Sequence, residues 1–198
     1  MSGYREIRFR RVAGLDLAAS SRRCSGFSVI DIVEMSIECV KCLYSDAEIL
    51  NEIEKHDVEL IAIDAPIAPE PVYRLVDRKA RSLGYPVLPP TLGPMRVLVK
   101  RAWSIKLLLE NIGIRVIETH PRSAMISSRA GDLYELVERL GLRLRDSIEL
   151  NELNKDQIDS IIAAIVAYCY STQYCIEKIE ERDGVIYIIR SLDLVSHR

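Results

Sequence analysis

The chain has 198 residues, a net charge of −2 and 48% apolar residues, the composition of a packed soluble globule about the size of one domain. Its longest apolar run, residues 161–170, is half of the roughly 20 residues that a membrane-spanning helix needs. The basic N-terminal stretch MSGYREIRFRR lacks the apolar segment of a secretory signal, so cytoplasmic residence is expected, and five cysteines, an odd number, argue against a disulfide framework.

Residues 12–17, 26–31 and 36–43 read as three strands with short polar links, the pattern of an antiparallel meander. Ser45-Asp46-Ala47-Glu48 is a capping box, and Ile49, Leu50 and Ile53 give the helix of about ten residues behind it an apolar stripe. Residues 58–63 form a fourth strand, which the helical crossover makes parallel to a neighbour. Pro66, Pro69 and Pro71 stop regular structure, and residues 73–83 then read as a short helix carrying Arg74, Arg78 and Arg81. GYPVLPPTLGP, residues 84–94, is an irregular loop of the kind that forms binding elements or lids. A helix over 95–111, a fifth strand over 115–118 and a helix over 132–140 closed by Gly141 follow. The last strong element is a helix over 154–174 capped by Asn154. Asp156, Asp159, Ser160, Ala163 and Ala167 fall on one side of it and Ile158, Ile161, Ile162, Ile165 and Cys169 on the other, so both faces read as buried. The small residues of the acidic side let it approach a sheet closely. Asp183-Gly184 opens a turn before a final strand over 185–189, whose place in the sheet stays open.

Asp16, Asp64 and Glu118 end strands, while Asp156 and Asp159 begin the late helix. Each alone has a plain explanation in a turn or a helix dipole. Together they fall where the carboxyl edge of an open α/β sheet forms its ligand crevice, and acids sharing a crevice repel unless protonated or neutralised. Oxygen donors select magnesium or manganese over zinc, because the His and Cys residues show no ligand spacing. Between Arg74 and Arg129 eleven basic residues face three acidic ones, a local charge of +8 that suits an anionic partner, although ordinary solvated helix faces would look the same. Arg96, Lys100 and Trp103 share a helical face that could touch a nucleic-acid backbone and base, or place the indole in the core. His120 and Arg122, just past Glu118, suit phosphate contact or proton transfer, with a simple loop residue as the alternative for His120. Cys39 and Cys42 would point to opposite faces of a strand, and the cysteines read as small buried hydrophobes. Low Gln and Asn content with Ile richness also suits a thermophile, where intracellular disulfides do occur.

The order of these features resembles the ribonuclease H-like superfamily. GLDLA, IAIDAPIAP, the Arg/Asp cluster through Arg81, GPM at 93–95, IETHPRSA and KDQIDSIIAAIVA resemble, over roughly residues 12–170, a family of predicted nucleases of that fold. The paired aspartates of the late helix are similar to a motif of Holliday-junction resolvases. The resemblance implies an α/β fold with a mixed five-stranded sheet of order 3-2-1-4-5, flanked by helices, in a single domain over 1–198. It implies two-metal phosphodiester hydrolysis with Mg²⁺ or Mn²⁺, in which Asp16 bridges the ions, Asp64 and Glu118 complete the ligands, and Asp159 or Asp156 closes the set. Resolvases usually carry Glu on the fourth strand, where this chain has the shorter Asp64. Arg74, Arg78, Arg81, Arg96, Lys100 and Arg122 are the expected substrate contacts, nucleic acid is the expected partner, and the reading leaves room for a homodimer. A non-catalytic binding module on the same fold is the alternative. A nucleotide-binding phosphotransferase needs two such domains and glycine-rich loops, which 198 residues with nine Gly hardly accommodate.

Overall fold

The computed structural model describes residues 9–194, so most of the basic N-terminal stretch read above lies outside the described residues. The meander forms as expected: β1 (Arg11–Asp16), β2 (Ser25–Asp31) and β3 (Ser36–Leu43) pair antiparallel in succession. The capping box starts α1 (Asp46–Lys55), with the Glu48 N–H donating to Ser45 Oγ at 3.2 Å. The chain crosses over to β4 (Leu60–Asp64), parallel to β1, and later to β5 (Arg115–Thr119), parallel to β4. The centre of the sheet therefore has the order β3-β2-β1-β4-β5.

The sheet runs beyond this centre, and eight strands replace the five expected. The short β6 (Arg143–Leu144) adds parallel to β3. On the other side β8 (Gly184–Ile189), the final strand whose place was open, lies beside β5 through the pair Thr119 and Tyr187. Outside it runs β7 (Ile176–Glu181), a strand the sequence reading misses. Its residues IEKIEE are mostly charged because it is an edge, where charge blunts pairing with other chains and hides the alternation of a half-buried strand.

The remaining helices are α2 (Leu75–Ser82), α3 (Gly93–Asn111), α4 (Pro121–Ser128), α5 (Leu133–Arg139) and α6 (Lys155–Thr172). α4 follows β5 in a segment to which the sequence assigns no element: Pro121 occupies its first turn, and His120 caps it by accepting the Ser123 N–H on Nδ1 at 3.2 Å. α6 carries a capping box of Asn154 and Gln157.

Strand alternation divides the core into two layers. Val12, Leu60, Ala62 and Ile117 face the layer that holds α6, and Ala13, Leu15, Ile61 and Ile63 face the layer with Ile49 and Ile53 of α1 and Ala102, Ile105 and Leu109 of α3. α6 crosses β1 and β2 at backbone contact. A Cβ on Gly14 would stand 2.1 Å from the Ser160 carbonyl oxygen, and one on Gly26 would stand 1.8 Å from that of Asp156. Ser28 Oγ adds a hydrogen bond of 2.7 Å to the Ser160 carbonyl. No helix among the described residues is long and apolar enough to cross a membrane.

The cysteine expectation is corrected. Cys24 bonds to Cys42 and Cys169 to Cys175, with Cα separations of 5.1 and 4.8 Å, inside the span a disulfide bridges. Pairing 18 and 6 residues apart leaves no spacing signature, and the odd residue left over is Cys39, free and buried. Cys39 and Cys42 do point apart as strand alternation requires. Disulfides belong to oxidising compartments, or to the interiors of some thermophiles.

Candidate functional site

Asp16 and Asp64 close β1 and β4 on one rung of the sheet, and Thr119 of β5 is the next residue along it. Alternation turns these side chains to the face that α6 covers. Because Gly14 and Gly26 admit the backbone of α6, its first turn brings Asp156 and Asp159 to the same edge. The acids feel one another. Burial pushes Asp16 up to about 7, and Asp159 and Asp156 add to the rise while Lys155 and Arg23 oppose it. Asp64 is raised well above the usual carboxylate range by burial first, then by Asp16 and Asp159. Lys155, which the sequence reading passes over, donates to Asp159 one turn on and acts electrostatically on Asp16 and Asp64. Its signal was an ordinary i,i+4 Lys-Asp pair, indistinguishable in sequence from a solvated one.

Glu118 lines the same cleft as Asp16 and Asp64 and acts electrostatically on Asp64, but its carboxylate is engaged by Arg74. The register sets Glu118 opposite Ile63, one residue short of the Asp16–Asp64 rung and on the alternate face. Its two oxygens accept from Arg74 Nη2 at 2.5 Å and Nη1 at 2.7 Å, and Oε2 also accepts the Ile67 N–H at 2.7 Å. Arg74 is 3% exposed and donates further to Asp77, with Nη2 to Oδ1 at 2.7 Å and Nε to Oδ2 at 3.2 Å, and from Nη1 to the Ile67 carbonyl at 3.3 Å. Burial works against the Arg74 charge, yet Glu118 and Asp77 hold it firmly protonated. An arginine read as a surface phosphate contact is thus the centre of a closed buried triad.

The other cations divide. Arg78 is exposed with its guanidinium 5.4 Å over the Tyr73 ring, and Arg81 Nη1 donates to the Val87 carbonyl at 3.4 Å, tying α2 to the irregular loop. Arg96, Lys100 and Arg122 are exposed, and their side chains make no hydrogen bond or ion pair among the described residues. Trp103 is half-buried with Lys106 Nζ 5.1 Å over its ring. His120 is held below the usual imidazole range, at about 4, by burial and then by Arg122 and Lys155, so it is neutral at physiological pH.

A cleft of about 150 Å³ opens at this edge. Asp16, Asp64, Asp77, Glu118, Thr119 and His120 supply its polar side, and Val87 and Leu88 of the irregular loop with Met95 and Leu98 of α3 supply an apolar wall. The donors at the edge are all oxygens, the set a hard divalent ion takes. They stand wider than a filled site: among the described residues, the trio of His, Cys, Asp or Glu with ligand atoms all within 4.8 Å of one another is Cys39, Glu52 and His56, outside this cleft.

No protein-family model and no curated protein matches the chain. Among solved structures it is similar to Thermus thermophilus RuvC in complex with a Holliday junction substrate, with a TM-score of 0.49, 15% identity, and coverage of 81% of this chain and 94% of that one. A second Thermus thermophilus RuvC structure gives a TM-score of 0.49 at 14% identity, covering 81% and 95%. The large terminase nuclease of thermophilic phage G20c, with bound zinc, gives 0.42 at 16% identity, covering 84% and 82%. The chain's own topology carries the fold assignment: an antiparallel meander continued by parallel β4 and β5, with a late helix packed across β1, is a ribonuclease H-like fold.

Proposed function

We propose that the chain is a metal-dependent nuclease that hydrolyses phosphodiester bonds of nucleic acid at the edge where β1 and β4 end. The observation that supports it most is the convergence there of Asp16, Asp64, Asp156 and Asp159, with charge that Lys155 and Arg23 offset only in part. On this reading Asp16, Asp64 and Asp159 hold Mg²⁺ or Mn²⁺, two ions at most, with Asp156 beside them. Such ions, when bound, acidify a water and stabilise negative charge on phosphoryl oxygens.

The remaining residues take roles that follow from their surroundings. His120 is neutral, and its Nδ1 is engaged by Ser123, which leaves Nε2 to exchange a proton with a substrate oxygen. Arg96, Lys100 and Arg122 meet backbone phosphates. Glu118 is not carried forward as a ligand. Through Arg74 and the Ile67 N–H it braces the segment that follows Asp64. Cleavage of single-stranded, duplex and branched DNA and RNA with Mn²⁺ or Mg²⁺ tests the proposal, and Asp16→Asn is expected to abolish it. Equal cleavage, or equal inertness, of wild type and variant across all substrates overturns it.

Lys155 among the acids, and their separation, favour a second reading as a non-catalytic module that binds nucleic acid or protein. Divalent ions that leave the melting temperature unmoved while nucleic acid still binds would select it.

A further inference from the structure

We propose that Cys39, Glu52 and His56 form a zinc site between β3 and α1, separate from the acidic cleft. Alternation along β3 turns Cys39 away from the disulfide-bonded Cys42 and into the layer beneath α1, where it is 7% exposed. Glu52 on α1 and His56, its C-cap residue, lie one turn apart and present their side chains to the same place. One ligand atom from each of the three lies within 4.8 Å of the others.

The geometry is close to what the ion requires. Zinc bonds of about 2.0 to 2.3 Å set tetrahedral edges of roughly 3.3 to 3.8 Å. His56 Nε2 and Glu52 Oε2 already stand 3.3 Å apart, so one edge is in place and the sulfur needs to approach by about an ångström at most. Beyond the contact they make with each other, those same two atoms are buried with no hydrogen-bond partner. Nearly all buried polar atoms have one, and two orphans facing each other across a thiol are satisfied together by a single cation.

The surroundings also select the kind of cation. Glu52 Oε1 accepts from Lys41 Nζ at 2.8 Å, and Lys55 Nζ is 3.7 Å away, so the carboxylate is held in place by outer partners. The two ammonium groups repel a hard ion bound by charge alone, whereas thiolate and imidazole donors favour zinc. On binding, the Cys39 thiol releases its proton to solvent and its sulfur bonds the ion.

Cobalt(II), zinc's spectroscopic stand-in, tests the site in full-length protein stripped with chelator and kept non-reducing so that both disulfides persist. One equivalent is expected to produce an intense near-ultraviolet thiolate-to-cobalt band with tetrahedral visible absorption, bleached by one equivalent of zinc. Cys39→Ser is expected to lose the band. His56→Gln, at the solvent-facing end of α1, is expected to weaken binding by more than the roughly 10- to 100-fold that loss of an outer partner causes. Asp16→Asn, at the cleft, is expected to keep the band. Absence of a thiolate band in wild type, its persistence in Cys39→Ser, unchanged affinity in His56→Gln, or its loss in Asp16→Asn each overturns the proposal.

Discussion

Replacing Asp16 with asparagine is expected to make the metal-free protein more stable, in the manner of a residue kept for function. Asp16 has its carboxyl raised from 3.8 to about 7 by burial and by Asp159 and Asp156. Below pH 3.8 the carboxyl is protonated in both folded and unfolded chains and has no differential effect. As pH climbs towards 7 the unfolded chain has released the proton while the folded chain still holds it, so stability drains away until the folded group ionises. At about 1.36 kcal/mol per unit, the ceiling is about 4 kcal/mol, and halving it for coupling among the acids leaves about 2 kcal/mol. For a chain of this size that is a gain of about 4–8 °C in melting temperature. Thermal unfolding followed by circular dichroism in chelator, without reductant, should show the gain at pH 8.5 and little difference at pH 4. Adding Mn²⁺ should reverse the ranking at pH 8.5, because the ion binds only the folded wild type. A variant no more stable than wild type at pH 8.5, or more stable by the same amount at pH 4, refutes the argument.

Gly26→Ala places a Cβ 1.8 Å from the backbone oxygen of Asp156, so α6 must shift; a loss of about 3 kcal/mol or more is expected in urea midpoints, and an unchanged midpoint contradicts the packing. Arg74→Ala leaves Glu118 and Asp77 buried without their partner, a loss of about 3–5 kcal/mol at pH 8 that should shrink at pH 4 as Glu118, whose carboxyl burial raises, protonates. A loss independent of pH would show that packing, not charge, dominates there. Removing the Cys24–Cys42 bond, which closes a separation of 18 residues, should cost about 3 kcal/mol. Thiol counting on the unfolded, non-reduced chain should find one reactive group, Cys39, and five after reduction.

The central sheet was legible because its signals are local. The capping box at Ser45, the apolar runs of β1 and β4 and the Asn154 cap each state their own structure within a few residues. The late helix was read as close-packed from its small residues, and Gly14 and Gly26 supply the matching absence of side chains on the sheet. What escaped the reading depends on pairing across the chain. β7 is a strand because β8 lies beside it, since its own residues are those of a solvated surface. Arg74 is buried because Glu118, 44 residues on, meets it, and an Arg three residues before an Asp looks the same on any exposed helix. Neither disulfide has a motif. Glu118 does line the cleft with Asp16 and Asp64, but it stands one residue off their rung, and the Arg74 that engages it is 44 residues away in sequence, so that pairing left no local signal.

That offset divides the buried acids into two kinds, and the contrast bears on function. Glu118 and Asp77 share a guanidinium at 2.5 to 2.7 Å and accept further N–H donors, so their charge is met by the protein itself. Asp16 and Asp64 have no such partner: no hydrogen bond reaches either carboxylate among the described residues, and the nearest compensation is Lys155, already donating to Asp159. A fold that can complete an arginine bridge a few residues away gains nothing in stability by leaving two carboxylates raised and unbridged on one rung. Such a deficit is disfavoured in the apo state and would be relieved by a cation, as the proposed ion site requires. If Asp64→Asn and Asp16→Asn both stabilise the apo protein and both erase the response to Mn²⁺, the deficit is functional. If they stabilise without changing any response to divalent ions, the edge is a relic of the fold and the binding-module reading gains.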